Sequence, residues 1–250
     1  MSDSQRVFGL HAVGSLLQRT PGKVTVLLVQ DNRNDARVEQ LLSAAEAADI
    51  VVRRVPRREL DELAAAANHQ GVVAEMGKTG GLGENDLPAF LDDLSKPAFV
   101  LVLDSIQDPH NLGACLRSAD AAGVDVVIVP KDKSASVNAT VRKVACGAAE
   151  VLPVVRVTNL ARTLRSLKDR GIWIYGAAGE ADASIYQTRF DGATAIVMGS
   201  EGKGLRRLTR EHCDALFSIP MAGSVSSLNV SVATGICLFE VRRQQAILSK

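Results

Sequence analysis

Three stretches of the 250-residue chain combine residue types that could do chemistry. The first, residues 104–123, reads DSIQDPHNLGACLRSADAAG. It follows an apolar run and leads into a helical pattern, the junction at which an α/β sheet usually places its ligand site. Asp108-Pro109 favours a turn, so Asn111 falls in the loop or at the first helical position and Arg117 within the helix. An amide and a fixed cation can hold a polar substrate; a helix cap and a surface arginine explain the same residues equally well. The second stretch, 197–205, reads VMGSEGKGL. Its three glycines permit a close backbone approach that could cradle a phosphate or an adenosine. It is neither a P-loop, since Lys203 is followed by Gly204, nor a GxGxxG fingerprint. A tight turn is the plain alternative, with Glu201 an unusual residue for one. The third, 219–240, reads IPMAGSVSSLNVSVATGICLFE. A strand ends at Pro220, small residues follow, and a helix starts near Asn229. Ser226, Ser227 and Asn229 are all good caps, but the run from Ala222 to Ser227 makes a poor core and a good binding loop.

The elements that must position these stretches follow from periodicity. Residues 1–76 alternate between strand runs (23–29, 50–55, 71–76) and amphipathic helical runs (35–48, 57–67), a small α/β domain of about three strands. Residues 77–97 read as a linker: GKTGGLGEND at 77–86 lacks periodicity, and DLPAFLDDL looks like a short helix. Residues 98–250 form a second series, with strands expected at 98–104, 124–129, 152–157, 172–178, 194–199 and 216–220. Helices are expected at 112–122, 138–146, 159–170, 206–213 and 229–247. Alternation of this kind implies a mainly parallel sheet covered on both faces.

Composition narrows the classes. Hydrophobic residues are 46% and charged residues 23%, enough for a real core, while aromatics are only 4%. No apolar run approaches the 18 or so residues of a membrane helix, and the N-terminus lacks the pattern of a signal peptide. Cys115, Cys146, Cys213 and Cys237 are far apart in sequence, with no metal-ligand spacing. They read as reduced, mostly buried thiols of a cytoplasmic protein without a metal. The net charge of +1 says little. Clusters at Arg53, Arg54, Arg57 and Arg58, at Arg142 and Lys143, and at Arg206, Arg207 and Arg210 could contact RNA phosphates or simply be solvated helix faces. Trp173 reads as core, and the four histidines as scattered.

Taken together and in this order, NLGACLR, GSEGKG and IPM–SLNVSVA resemble the three motifs of the SpoU (TrmH-like) branch of the SPOUT methyltransferases. The likeness spans about 150 residues. GLHAV near the start and HQGVVA at 69–74 resemble the added, ribosomal-protein-like α/β RNA-binding domain of the same branch. The resemblance implies a C-terminal α/β domain with a trefoil knot, a feature too rare to expect otherwise. It also implies S-adenosylmethionine as cofactor, 2′-O-methylation of a guanosine in 23S ribosomal RNA, and a homodimer formed through the catalytic domain. By the same resemblance Gly199, Ile219 and Leu228 hold the cofactor, and Asn111, Arg117, Glu201, Ser227 and Asn229 form the catalytic pocket. A guanidinium is a fixed cation, so Arg117 is expected to hold phosphate and stabilise a developing alkoxide rather than to act as base. Phosphate, water or Glu201 remain as proton acceptors. The alternative from another class is a non-catalytic RNA-binding adaptor that keeps the fold; a Rossmann dinucleotide enzyme is disfavoured by the missing GxGxxG.

Overall fold

A computed structural model describes residues 6–64, 68–76, 82–200, 202 and 204–248. The chain divides into two compact units, Met1–Gly80 with Cys146–Val151, and Gly81–Ala145 with Leu152–Lys250. The described part of the first unit opens with β1 (Arg6–Phe8), α1 (Leu10–Arg19), β2 (Val24–Gln30) and α2 (Ala36–Ala47). β3 (Val51–Val55), α3 (Arg57–Ala64) and β4 (Val72–Met76) follow. The sheet has four strands in the order β1-β4-β2-β3, one more than periodicity suggested. β3 runs parallel to β2, while β4 runs antiparallel to both β1 and β2. The strand and helix that sequence reading missed are at the start: β1 is only three residues long, and α1 hides its period behind Gly9 and Gly14. α1 nevertheless buries Val13, Leu16 and Leu17 against Leu27, Val29 and Ala74. α2 begins where Asp35 accepts from the backbone N–H groups of Arg37 and Val38, a side-chain cap worth about 1 kcal/mol.

The second unit begins with α4 (Leu87–Asp92), whose Leu87 and Leu91 are buried in its core, and β5 (Phe99–Asp104). Then come α5 (Pro109–Ala121), β6 (Val126–Pro130) and α6 (Ala139–Ala145). The short α7 (Ala148–Val151) falls in the segment grouped with the first unit. β7 (Val154–Val157), α8 (Leu160–Lys168), β8 (Trp173–Ala177) and β9 (Thr194–Gly199) continue the alternation. α9 (Arg207–Glu211), β10 (Ala215–Phe217) and the long α10 (Val230–Leu248) complete it. The strand order is β10-β8-β9-β5-β6-β7 and every pairing is parallel. β5, β6 and β9 are almost entirely buried, which is why they read as unbroken apolar runs rather than alternating ones.

The chain builds outward from β5 through β6 to β7, crosses to β8 on the other side of β5, and then places β9 between β8 and β5. The reversal lies between β5 and β9, the switch point where parallel sheets open a crevice at their carboxyl ends. α10 packs on α5. Arg242 fastens the two by donating to the carbonyls of Ala122 and Gly123 at the end of α5, with its guanidinium 4.7 Å from the centroid of the Phe99 ring.

Gly113 sits where α5 meets α6: a Cβ there would lie 2.7 Å from Val144 Cβ and 2.8 Å from the Val141 carbonyl. Alanine ordinarily favours a helix over glycine by about 1 kcal/mol. Here the clash should reverse the sign, and Gly113→Ala should destabilise the protein by roughly 1–3 kcal/mol, seen as a lower midpoint in urea unfolding. A midpoint at or above that of the wild type would show that the two helices part without cost.

Candidate active site

The site is set by one register. β5 and β9 pair in parallel so that Asp104 stands opposite Gly199, the last residues of their strands. The first two stretches therefore leave the sheet side by side. β8 and β10 pair on the same side of the switch point, with Phe217 opposite Ala177, and the third stretch leaves from there. Asn111 is neither in the loop nor at the first helical position. Pro109 takes the first position because Asp108 caps α5, accepting from His110 N at 2.9 Å, and Asn111 becomes the third helical residue. It is buried, and its Oδ1 accepts from Asn229 Nδ2 at 2.9 Å. Asn229 in turn accepts from Ser231 N through its own Oδ1 at 2.9 Å, and its carbonyl accepts from Ala233 N. One side chain thus starts α10 and ties it to α5, across 118 residues of sequence.

Two cavities meet at this tie. The first, of about 460 Å³, is lined by Gly199, Ser200, Ile219, Ser227, Leu228 and Val230 among others. Its walls combine small residues of the loops with larger apolar side chains such as Met198, Phe217 and Met221. Ser200 and Gly204 bond each other through both backbone N–H groups, at 3.2 and 2.9 Å, closing a tight turn. That closure explains Gly199: a Cβ on it would lie 2.2 Å from the Gly204 carbonyl carbon and 2.5 Å from Leu205 N, both backbone atoms that cannot step aside. Gly204 has φ +62, the left-handed region that favours glycine. The second cavity, of about 650 Å³, is polar and open, and its lining includes Ser105, Asp108, Asn111, Lys133, Arg206 and Arg207. It shares Ser200, Gly204, Leu205 and Val230 with the first, so the two adjoin. A small-residue cradle beside a cationic cleft can hold a nucleoside-like cofactor in one and a polyanion in the other.

Sequence reading missed Asp104. Its carboxylate is fully buried at the end of β5 and accepts from Arg206 N at 3.2 Å, Arg206 Nε at 2.6 Å and Ser105 Oγ at 3.1 Å. The signal available was an acid closing an apolar strand. Ser105 beside it has φ +68, a strained conformation for a non-glycine residue.

The proposed polar set is only partly gathered. Asn111 lines the second cavity, Asn229 touches Asn111, and Ser227 lines the first cavity. Arg117 lies on the exposed side of α5 and lines neither cavity. Glu201 lies outside the described residues. Of the basic clusters, Arg58 pairs with Glu62 at 3.0 Å, Arg207 with Glu211 at 2.8 Å, and Arg210 with Glu180. Arg53 and Arg57 stand 3.9 Å from Glu59 and Asp61. Such exposed pairs contribute about 0–1 kcal/mol each and leave the arginines available to a phosphate. Trp173, expected in the core, is exposed because it enters β8 at the edge of the packed region. Cys146 is also exposed. Burial pushes the thiols of Cys213, which also faces Asp214, and Cys237 up to about 12, so neither is a nucleophile at neutral pH. Among the described residues no three His, Cys, Asp or Glu side chains are grouped to hold a metal, and no helix is long and apolar enough to cross a membrane.

Comparison with known proteins places this geometry. Residues 98–239 match the SpoU rRNA Methylase family, and residues 6–78 match the RNA 2′-O ribose methyltransferase substrate binding family. The chain is 58% identical over 248 residues to the 23S rRNA (guanosine-2′-O-)-methyltransferase RlmB of Pseudomonas aeruginosa, covering 99% of this chain and 100% of that one. It is 56% identical over 243 residues to RlmB of Escherichia coli strain K12, covering 97% and 100%. Among solved structures it resembles the SpoU methyltransferase AviRb of Streptomyces viridochromogenes, crystallised with the cofactor AdoMet, with a TM-score of 0.71, 25% identity, and coverage of 97% of this chain and 90% of that one. The two adjoining cavities lie at the meeting point of the three motifs, within the matched segment, and the chain belongs to the SpoU rRNA methylase family.

Proposed function

We propose that this chain transfers a methyl group from S-adenosylmethionine to the 2′-oxygen of a guanosine ribose in 23S ribosomal RNA. The observation that carries the reading is the Asn111–Asn229 contact at the seam between a small-residue cradle and a cationic cleft, in a chain that matches full-length relatives named for that reaction. The first cavity fits the cofactor. Gly199, Ile219 and Leu228 line it, and the space a Cβ of Gly199 would need is already taken by the turn that closes over it. When bound there, the cofactor supplies an electrophilic methyl. The chain's part is to bring a ribose hydroxyl into line with it at roughly 3–3.5 Å. Asn111 and Asn229 would orient that hydroxyl, each held by the other. Arg117, Glu201 and Ser227 complete the proposed set, with Arg117 acting on phosphate and developing negative charge from the exposed side of α5. The first unit would dock the RNA, as its match to the substrate-binding family supports. We place the protein in the cytoplasm, where an enzyme of ribosomal RNA finds its substrate.

We also propose a homodimer through the second unit. α10 buries Val230, Thr234, Cys237, Leu238 and Val241, yet Val232 and Phe239 on its other side are each more than half exposed. Two large apolar groups on one helical face, two turns apart, support a self-complementary interface. Ser118, next to Arg117, lies 3.7 Å from where a Gly235 side chain would begin, so a partner covering this face of α10 would also approach Arg117.

Purified protein should methylate 23S rRNA transcripts with labelled S-adenosylmethionine, and the label should map to a guanosine ribose. Gly199→Ala should lower cofactor affinity at least tenfold by titration calorimetry, because the added methyl forces the turn at Ser200–Gly204 open. Cofactor binding without any transfer to RNA would favour the adaptor reading, and normal affinity in the variant would remove Gly199 from the cradle.

Sedimentation at micromolar concentration should give a dimer, and Phe239→Glu should give monomers that stay folded by circular dichroism. A wild-type monomer would contradict the interface.

A further inference from the structure

Arg206 is the residue whose surroundings the reaction as proposed leaves unexplained. Asp104 is fully buried at the end of the central strand, where an unmatched carboxylate would be strongly disfavoured. Arg206 matches it through two groups on one side only: its backbone N–H and its Nε. The 2.6 Å bond at Nε fixes the plane of the guanidinium. Nη1 and Nη2 make no hydrogen bond to any described residue, and the side chain is 41% exposed. It lines the second cavity together with Lys133 and Arg207 and does not line the cofactor cradle. Among the described residues of that lining the one carboxylate, Asp108, caps α5.

We propose that Arg206, aimed by buried Asp104, is a docking residue for an RNA phosphodiester in the second cavity. The inference rests on the RNA methyltransferase reading. Two parallel N–H donors in a rigid plane match two non-bridging phosphate oxygens. Lys133 and Arg207 add positive charge around the same opening. The clamp at Nε restricts the side chain before the RNA arrives, so less rotamer freedom is lost on binding. Asp104 is a positioning residue here: it reaches the RNA only through Arg206. The same contact couples substrate docking to the cradle, because only Leu205 separates Arg206 from the turn at Ser200–Gly204, and both cavities share Ser200, Gly204 and Leu205.

The test uses the full chain. Replacing Arg206 alone would leave Asp104 charged and unmatched, so the pair is neutralised together as Asp104→Asn/Arg206→Gln, which keeps an acceptor for the Arg206-position backbone N–H. Binding of a 23S rRNA transcript is measured against salt, with S-adenosylmethionine affinity measured alongside. The pair variant should bind RNA at least tenfold more weakly at low salt, and the slope of log affinity against log salt should shrink by about one phosphate contact. Cofactor affinity should hold within about twofold. Arg170→Gln, which removes an exposed arginine paired with Asp92 away from both cavities, should leave the slope unchanged. Unchanged RNA affinity and slope in the pair variant would overturn the proposal. So would an unchanged slope with a fall in cofactor affinity, which would assign Arg206 to the cofactor's carboxylate. Should the pair variant fail to fold by circular dichroism, Arg206→Lys decides: it keeps the charge but loses the fork, and RNA affinity should drop severalfold, whereas wild-type affinity would overturn the proposal. Wild-type methyl transfer is recorded in the same preparations. Its absence would count against the methyltransferase reading, while the salt slope still judges the anion site.

Discussion

The parallel pairing of β5 with β9, which ends with Asp104 opposite Gly199, is the constraint on which the rest of the site depends. Side chains alternate along a strand, so a slip of one residue would turn every one to the other face. Here it would take Asp104 out of the interior and Gly199 away from the turn that needs its missing side chain. The register is secured by burial on both faces: Val100 and Val102 of β5 and Ala195 and Val197 of β9 belong to one apolar cluster, and Leu101, Leu103, Ile196 and Met198 are buried on the other face. Strands of this kind are held by the backbone ladder and apolar packing without polar side chains in their middles, which leaves the polar side chains at the strand ends to serve the site.

From that edge the work divides by chemistry. Glycine, serine and the backbone of three loops build one cavity, while arginine, lysine and asparagine face the other. The two are connected by polar contacts that span long stretches of sequence. Asn111 meets Asn229, Asp104 meets Arg206, and Arg242 caps the far end of α5 from α10. Asp104 and Asn111 are buried, and removing a partner from a buried polar group costs more than the net worth of the bond itself. The result is a sheet edge, two helices and a Gly-rich turn that hold one arrangement together.

Much of this was legible in the sequence and some was not, for identifiable reasons. The strands of the second unit stood out because burial on both faces makes them continuous apolar runs, and the three motifs fell at their carboxyl ends. β1 did not stand out because three residues carry no period, and α1 did not because Gly9 and Gly14 dilute its pattern. Asn111 moved two positions into the helix because Asp108 and Pro109 together form a cap and a first turn, a pairing that was read only as a turn. Trp173 was misplaced since a strand's first residue need not share the burial of its middle. Gly199, Ile219 and Leu228 are expected in the site through motif resemblance alone, and the reason Gly199 must be glycine lies in a contact with Gly204 that only the folded turn creates. Asp104 was invisible as a site residue: its partner is 102 residues away, and no periodicity links the two. The knot that the resemblance implies is a matter of threading, to which residue spacing has no access.

The central claim is that the cradle and cleft deliver a methyl to a sugar oxygen and not to a base. Aromatic side chains are 4% of the chain, and among the described residues the only aromatic in either lining is Phe217, which is fully buried against Phe190 rather than presented as a platform on which an extruded base could stack. The most direct measurement is methyl transfer to a substrate RNA carrying a single 2′-deoxy substitution at the mapped nucleotide, compared with the all-ribose RNA. Loss of incorporation at that nucleotide, with RNA binding preserved, is the predicted result. Incorporation there at the all-ribose rate would mean that a base atom is the acceptor and would contradict the account.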